Sequence, residues 1–160
     1  MALKKPLVIT DGQIQQLQAG DSLDALCDEV DAITRLNANA GALVIGTPVY
    51  PSAAGSVDKA KADAVGTTAV LGLVMDVSIG IGASGGIQTD GVLVATTGQW
   101  DAVAGTTGGL VAGTRYYLDP DNVGKLTSTA PTTAGDFVCP LGVALSTLEF
   151  EITILSTVKL

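Results

Sequence analysis

The sequence predicts a mainly β protein: short antiparallel strands in two duplicated units forming a small barrel or sandwich, with one short N-terminal helix. Three observations lead there. Hydrophobic spacing changes from three-and-four near the start of the chain to alternation later on. A phrase opening Gly46-Thr47-Pro48-Val49-Tyr50 returns as Gly113-Thr114-Arg115-Tyr116-Tyr117. The apolar share is 47% of 160 residues, mostly Ala, Val, Leu and Ile, set among 20 glycines with only two Phe, three Tyr and one Trp. Small and β-branched residues punctuated by glycine suit short strands and tight turns. With 15% charged residues the chain has enough apolar material for a core, and its length fits one domain or two very small ones.

Residues 1–40 are expected to hold an arm, a hairpin and the helix. Leu7-Val8-Ile9-Thr10, then Asp11-Gly12, then Gln13-Ile14-Gln15-Gln16-Leu17 has the form of a hairpin whose Asp-Gly favours the positive φ angles of a two-residue turn. Asp21 or Ser22 can cap a helix over residues 22–36. Leu23, Leu26, Val30 and Ile33 form its apolar stripe, with Asn37 next in that register. The stripe suits either an amphipathic helix lying on its own domain or a two-heptad seam between subunits with Asn37 fixing the register. Two heptads alone would not hold an oligomer together.

From Gly41 the chain reads as strands and turns, a first β unit over 41–98 and a second over 99–160. GALVIGTPVYPSAAGSVDKAKADAVGTTAVLGLVMDVS aligns with GGLVAGTRYYLDPDNVGKLTSTAPTTAGDFVCPLGVALS. Gly46-Thr47 matches Gly113-Thr114, Tyr50 matches Tyr117, Gly55 matches Gly124 and Gly72 matches Gly142. In each copy a glycine turns the chain into a strand ending at Tyr, and a polar turn leads to a short strand at Val57 or Leu126. A loop then precedes an apolar strand, Val70 to Val74 or Val138 to Leu145. An alternating strand closes each unit, GIQTDGVLVAT in the first and STLEFEITIL in the second. Short strands at such spacing indicate a small antiparallel sheet or barrel, and two copies are expected to pack face to face.

No constellation for catalysis, cofactor or metal emerges. Histidine is absent, which removes Ser-His-Asp and Cys-His catalysis and His-ligated zinc. Gly80-Ile81-Gly82-Ala83-Ser84-Gly85 matches G-x-G-x-x-G, and Gly82 to Gly86 matches G-x-S-x-G. Both motifs need a helix to open after the loop, and the residues that follow are strand-like. A mobile glycine loop is the simpler reading. Asp119-Pro120-Asp121-Asn122-Val123-Gly124 has the front of a calcium loop, but Val123 and Ala130 occupy positions where ligands are required. A turn is expected there. Glu149 and Glu151 alternate with Phe150 and Ile152, so both carboxylates are expected to face solvent. Tyr116 and Tyr117 straddle their strand, one toward the core and the other exposed or touching a partner. Cys27, on the predicted helix, and Cys139, in a predicted strand, read as two buried thiols, with one disulfide as the alternative.

The formal net charge is −8. The acids are scattered apart from Asp21, Asp24, Asp28, Glu29 and Asp31, and no basic stripe exists, so nucleic acid is not an expected partner. No apolar run is long enough to span a bilayer, so no membrane partner is expected. The start MALKKPLVITDGQ has too short an apolar stretch for a signal peptide, which makes cytoplasmic synthesis the expectation.

The opening MALKKPLVITDGQIQQLQAGDSL resembles the start of many tailed-bacteriophage virion proteins. The stretch from Ile87 to Ile152 is similar to a module of phage head-decoration proteins and of tail-fibre or baseplate appendages. Together they cover most of the chain. The resemblance implies a non-enzymatic, usually homotrimeric virion component, assembled in the host bacterial cytoplasm. A head-decoration (cement) protein, bound to the major capsid protein on the outside of the shell, is the first reading. Small size, few aromatic rings and the arm with Lys4 and Lys5 favour it. An appendage or receptor-binding component is the alternative, though sugar recognition usually exploits exposed rings. The arm, Ala2 to Leu7, belongs to neither repeat and is expected to be poorly ordered alone. On a shell, Leu3 and Leu7 would be buried while Lys4 and Lys5 pair with acidic groups.

Overall fold

The computed structural model describes residues 31–160, together with the strand backbones of residues 7–10 and 13–16. Strands β1 (Leu7–Thr10) and β2 (Gln13–Gln16) pair antiparallel with Thr10 opposite Gln13, the hairpin register that Asp11-Gly12 predicts. Leu3, Lys4, Lys5 and Cys27 lie outside the described residues, as does the 22–30 part of the predicted helix.

The remainder of that helix is corrected. Ala32–Asn37 form a strand, β3, paired antiparallel with β9 (Ser84–Gln88). Ile33 and Asn37 are four apart, which places two residues on one face of a helix and equally on one face of a strand. Their spacing therefore did not discriminate between the two. The β-branched pair Ile33-Thr34 favours the extended form.

Strand β3 also pairs parallel with β6 (Ser56–Lys59), and this contact closes a five-stranded barrel in the order β3-β6-β5-β7-β9, where β5 is Pro48–Ala53 and β7 is Gly72–Val74. The closing bonds run from Leu36 N–H to the Gly55 carbonyl (3.0 Å) and from Ala38 N–H to the Val57 carbonyl (2.9 Å). A small pair, β4 (Leu43–Val44) with β8 (Ser78–Ile79), lies alongside. Leu43, Val49, Val57, Val74, Ile79 and Ile87 form one buried cluster.

A second five-stranded sheet has the order β10-β15-β14-β11-β12, comprising Gly91–Val94, Glu149–Ile152, Pro140–Ala144, Arg115–Leu118 and Leu126–Thr127. Its core holds Trp100, Tyr116, Leu118, Leu141, Phe150 and Ile152, and Ile45 and Leu73 of the first unit join the same cluster. The two units thus meet in this cluster, while the barrel keeps a separate one of its own. A last pair, β13 (Phe137–Val138) with β16 (Val158–Lys159), completes the chain.

The two sheets repeat one register. Val49 opposes Gly72 as Tyr116 opposes Gly142, and Tyr50 opposes Asp58 as Tyr117 opposes Thr127. Gly46 and Gly113 donate to the Val74 and Ala144 carbonyls at 2.8 and 2.7 Å, both with positive φ (81° and 77°). A Cβ on Gly72 would run into the Gln88 carbonyl, and one on Gly142 into that of Glu151. Glycine recurs because the neighbouring backbone occupies the space a side chain needs.

Strand membership differs from expectation in two places. The first closing segment divides into β9 and β10 around Gly91 (φ 78°), and β10 pairs with β15 in the second sheet. The boundary expected between residues 98 and 99 falls inside a helix, α1 (Thr97–Ala104). Thr96 caps α1: its Oγ1 accepts from Gln99 N–H at 3.3 Å, and Gln99 Oε1 accepts from Thr96 N–H at 2.8 Å. Gly105, left-handed at φ 64°, ends it. The only helix among the described residues is thus mid-chain, in a stretch expected to be strand and turn.

Candidate functional site

The glycine-rich string that imitates nucleotide and hydrolase motifs is a turn over Gly80 to Ala83 that runs into strand β9 at Ser84, where a glycine loop is expected. Asn37 holds the turn. Its side chain is buried, and Nδ2 donates toward the carbonyls of Ile79 (2.9 Å), Gly80 (3.1 Å) and Gly41 (3.1 Å) while Oδ1 accepts from Asn39 N–H (2.8 Å). Ser84 then opens β9 opposite Leu36 and is exposed. Gly85 is required by crowding, since a Cβ there would sit 2.5 Å from Asp76 Oδ2 and from Ile79 Cγ1. Asn37 braces a turn within one chain, in place of setting a register between subunits.

Two aspartates in the described region hold backbone. Asp119 Oδ1 accepts from Asp121 N–H (2.7 Å) and Asn122 N–H (2.9 Å), which makes the calcium-like string an Asx turn. Asp101 accepts from Gly109 N–H (2.8 Å), Gly108 N–H (3.0 Å) and the Thr106 hydroxyl (2.9 Å). These bonds, led by that from Gly109, pull its carboxyl below the usual carboxylate range. No group of three or more His, Cys, Asp or Glu suited to a metal ion occurs among the described residues. Glu149 and Glu151 are exposed while Phe150 and Ile152 are buried.

Tyr116 is the core tyrosine. Its ring meets Phe150 edge-on, with centroids 6.1 Å apart, and its hydroxyl accepts from Val111 N–H at 3.1 Å. Tyr117 is half-buried. Cys139 is a buried free thiol with Sγ 3.7 Å from the Thr68 carbonyl, and burial raises its pKa. Lys61 and Asp63 form the only ion pair among the described residues, at 2.8 Å and largely solvated, so it contributes little.

Two apolar surface features carry little or no signal in the sequence. One is a shallow groove where the units meet, lined by Val44, Ile45 and Val77 of the first and by Thr96, Gly98, Gln99 and Ala102 around α1. The other is the edge of β10, where Val92 and Val94 are 42% and 59% exposed. The signal for α1 was present in Thr96-Thr97-Gly98-Gln99, which has capping-box spacing. No comparable signal marks β10 as an edge, because strand order is a property of long-range pairing. Of the residues expected to touch a partner, Leu7 opens β1 opposite Gln16. No helix among the described residues is long and apolar enough to cross a membrane. Compared with known proteins, the chain matches no family model and no curated relative.

Proposed function

We propose that the chain is a non-enzymatic structural protein of a tailed-phage virion, bound as a homotrimer to the major capsid protein on the outside of the shell. The observation that carries this reading is the ordered pair of resemblances, the opening MALKKPLVITDGQIQQLQAGD followed by the duplicated β module. The scaffold is consistent with a rigid attachment. Every buried side-chain nitrogen and oxygen among the described residues has a partner; Asp76 holds Gly86 of β9, and Asp101 and Asp119 clamp turns, through backbone N–H groups. Such a body stiffens what it is fixed to.

The arm supplies the attachment in this reading. Leu3 and Leu7 enter apolar sites on the capsid protein, and Lys4 and Lys5 meet its carboxylates. Three arms on one trimer raise avidity by about 10²–10⁴ over one. Deleting residues 2–7 should leave a folded protein that no longer sediments with undecorated heads. Undiminished sedimentation would remove the arm as anchor. Full-length protein that ignores heads and joins tails would establish the appendage alternative.

A further inference from the structure

We infer that β10 is a self-association edge, through which two copies of this chain pair antiparallel into one continuous sheet. The hydrogen-bond alternation along β15 leads to it. Leu145 N–H donates to the Glu149 carbonyl and Thr153 N–H to that of Leu141, both at 2.9 Å, so alternate residues of β15 face β14. Phe150 and Ile152 therefore face β10, opposite Leu93 and Gly91, and Ala95 N–H donates to the Leu148 carbonyl at 3.0 Å in the same phase. Val92 and Val94 consequently direct their N–H and C=O groups away from the sheet. Among the described residues none receives them.

Nothing on β10 protects this edge. Natural edge strands carry charges, proline or bulges that discourage pairing, and Gly91-Val92-Leu93-Val94 has none of these. The corresponding stretch of β3, beside β9, offers Ala32 and Thr34 instead of two valines. The opposite edge of the same sheet, β12, has α1 against it, and Lys125 Nζ donates to the Ala102 carbonyl there.

A second copy fits because the edge is self-complementary. With a two-fold axis at Leu93, Val92 of one copy exchanges both backbone bonds with Val94 of the other, giving four hydrogen bonds and two valine–valine contacts on the outer face. β10 carries no charge, so no like charges meet across the seam, while Glu149 and Glu151 lie one strand back on each side. A four-residue seam buries far less than the roughly 1,200–2,000 Å² of a stable complex. The pairing is therefore weak and reversible, populated at high protein concentration. Because the chain carries −8, added salt should strengthen it by screening repulsion.

Sedimentation equilibrium of the full chain, with Val92→Lys and Val94→Pro variants, tests this. The wild type should show a concentration-dependent doubling of mass that grows with salt, whatever its mass when dilute, and both variants should lose it while keeping the wild-type melting curve. Proline at an outward-facing edge N–H is tolerated within a strand, and Val92→Lys guards against a folding defect. A wild type that never doubles overturns the inference, as does doubling that both variants retain. Variants whose only change is lower monomer stability would show that the edge is covered within one chain, which also overturns it. None of these outcomes depends on binding to heads.

Discussion

The first barrel and the second sheet use the same strand order and the same glycine-dependent register, yet only the first closes. In the barrel β3 reaches β6, and the Leu36 and Ala38 amides complete the ring. In the second sheet the strand corresponding to β3 is β10, and the chain leaves it as helix α1 before any such contact with β12. The helix closes the core with side chains: Trp100 and Val103 are buried, Trp100 Nε1 donates to the Leu148 carbonyl at 2.8 Å, and its ring lies 5.7 Å from that of Phe150. One β unit can thus be sealed by backbone pairing or by an inserted helix. Among the described residues, the second solution leaves a strand edge open.

Trp100→Ala should break the second unit's closure with the largest effect, about 3–5 kcal/mol by analogy with other buried aromatic truncations. Its loss also empties the contact with Gly46, where an added Cβ would lie 2.8 Å from the indole. Chemical denaturation would measure it. A cost under about 0.5 kcal/mol, the level of surface substitutions, would mean the helix is an appendage to the core.

The duplication is sharpened by Gly72→Ala and Gly142→Ala. Each sets a methyl against a backbone carbonyl that cannot swing aside, so both should cost about 3 kcal/mol, at the upper end for overpacking. Similar losses in the two units, read from denaturant midpoints, are expected. A tolerated change in one would show that the units are not equivalent at that position.

The smallest effect separates the units by pH. Asn37 and Asn39, both uncharged, brace the loop after β3, whereas Asp101 braces the loop after α1. Bonds from Gly109, then Gly108 and Thr106, lower the Asp101 pKa in the folded state. Its contribution is therefore present above the unfolded pKa near 3.8 and lost as pH falls through the lower folded value. The stability difference between wild type and Asp101→Asn should shrink on acidification below about pH 4. A difference that stays constant to pH 2 would assign the loop to other contacts.

Much of the architecture was legible because it rests on local chemistry. Asp11-Gly12 gave the hairpin, the Gly-Thr, Tyr and Gly matches gave the repeated register, and alternation at Glu149 to Ile152 gave the buried and exposed faces. Ile33 and Asn37 lie in a strand where the spacing predicts a helix, because a separation of four fits either period. Helix α1 carries a weak signal, since its eight residues include Gly98, end at Gly105 and have little apolar stripe, although the Thr96 and Gln99 capping pair is visible in the sequence. The open edge at Val92 and Val94 and the groove beside α1 follow from which strands meet across the chain. No single segment encodes that.

Amide hydrogen exchange resolved to single residues tests the closed-versus-open distinction most directly. In dilute protein, the Leu36 and Ala38 amides should be protected by the closing bonds of the barrel, while those of Val92 and Val94 exchange quickly. At high concentration the two valine amides should gain protection and the barrel amides should not change. Valine amides as protected as Leu36 and Ala38 at every concentration would contradict the account, because the second sheet would then be sealed within one chain.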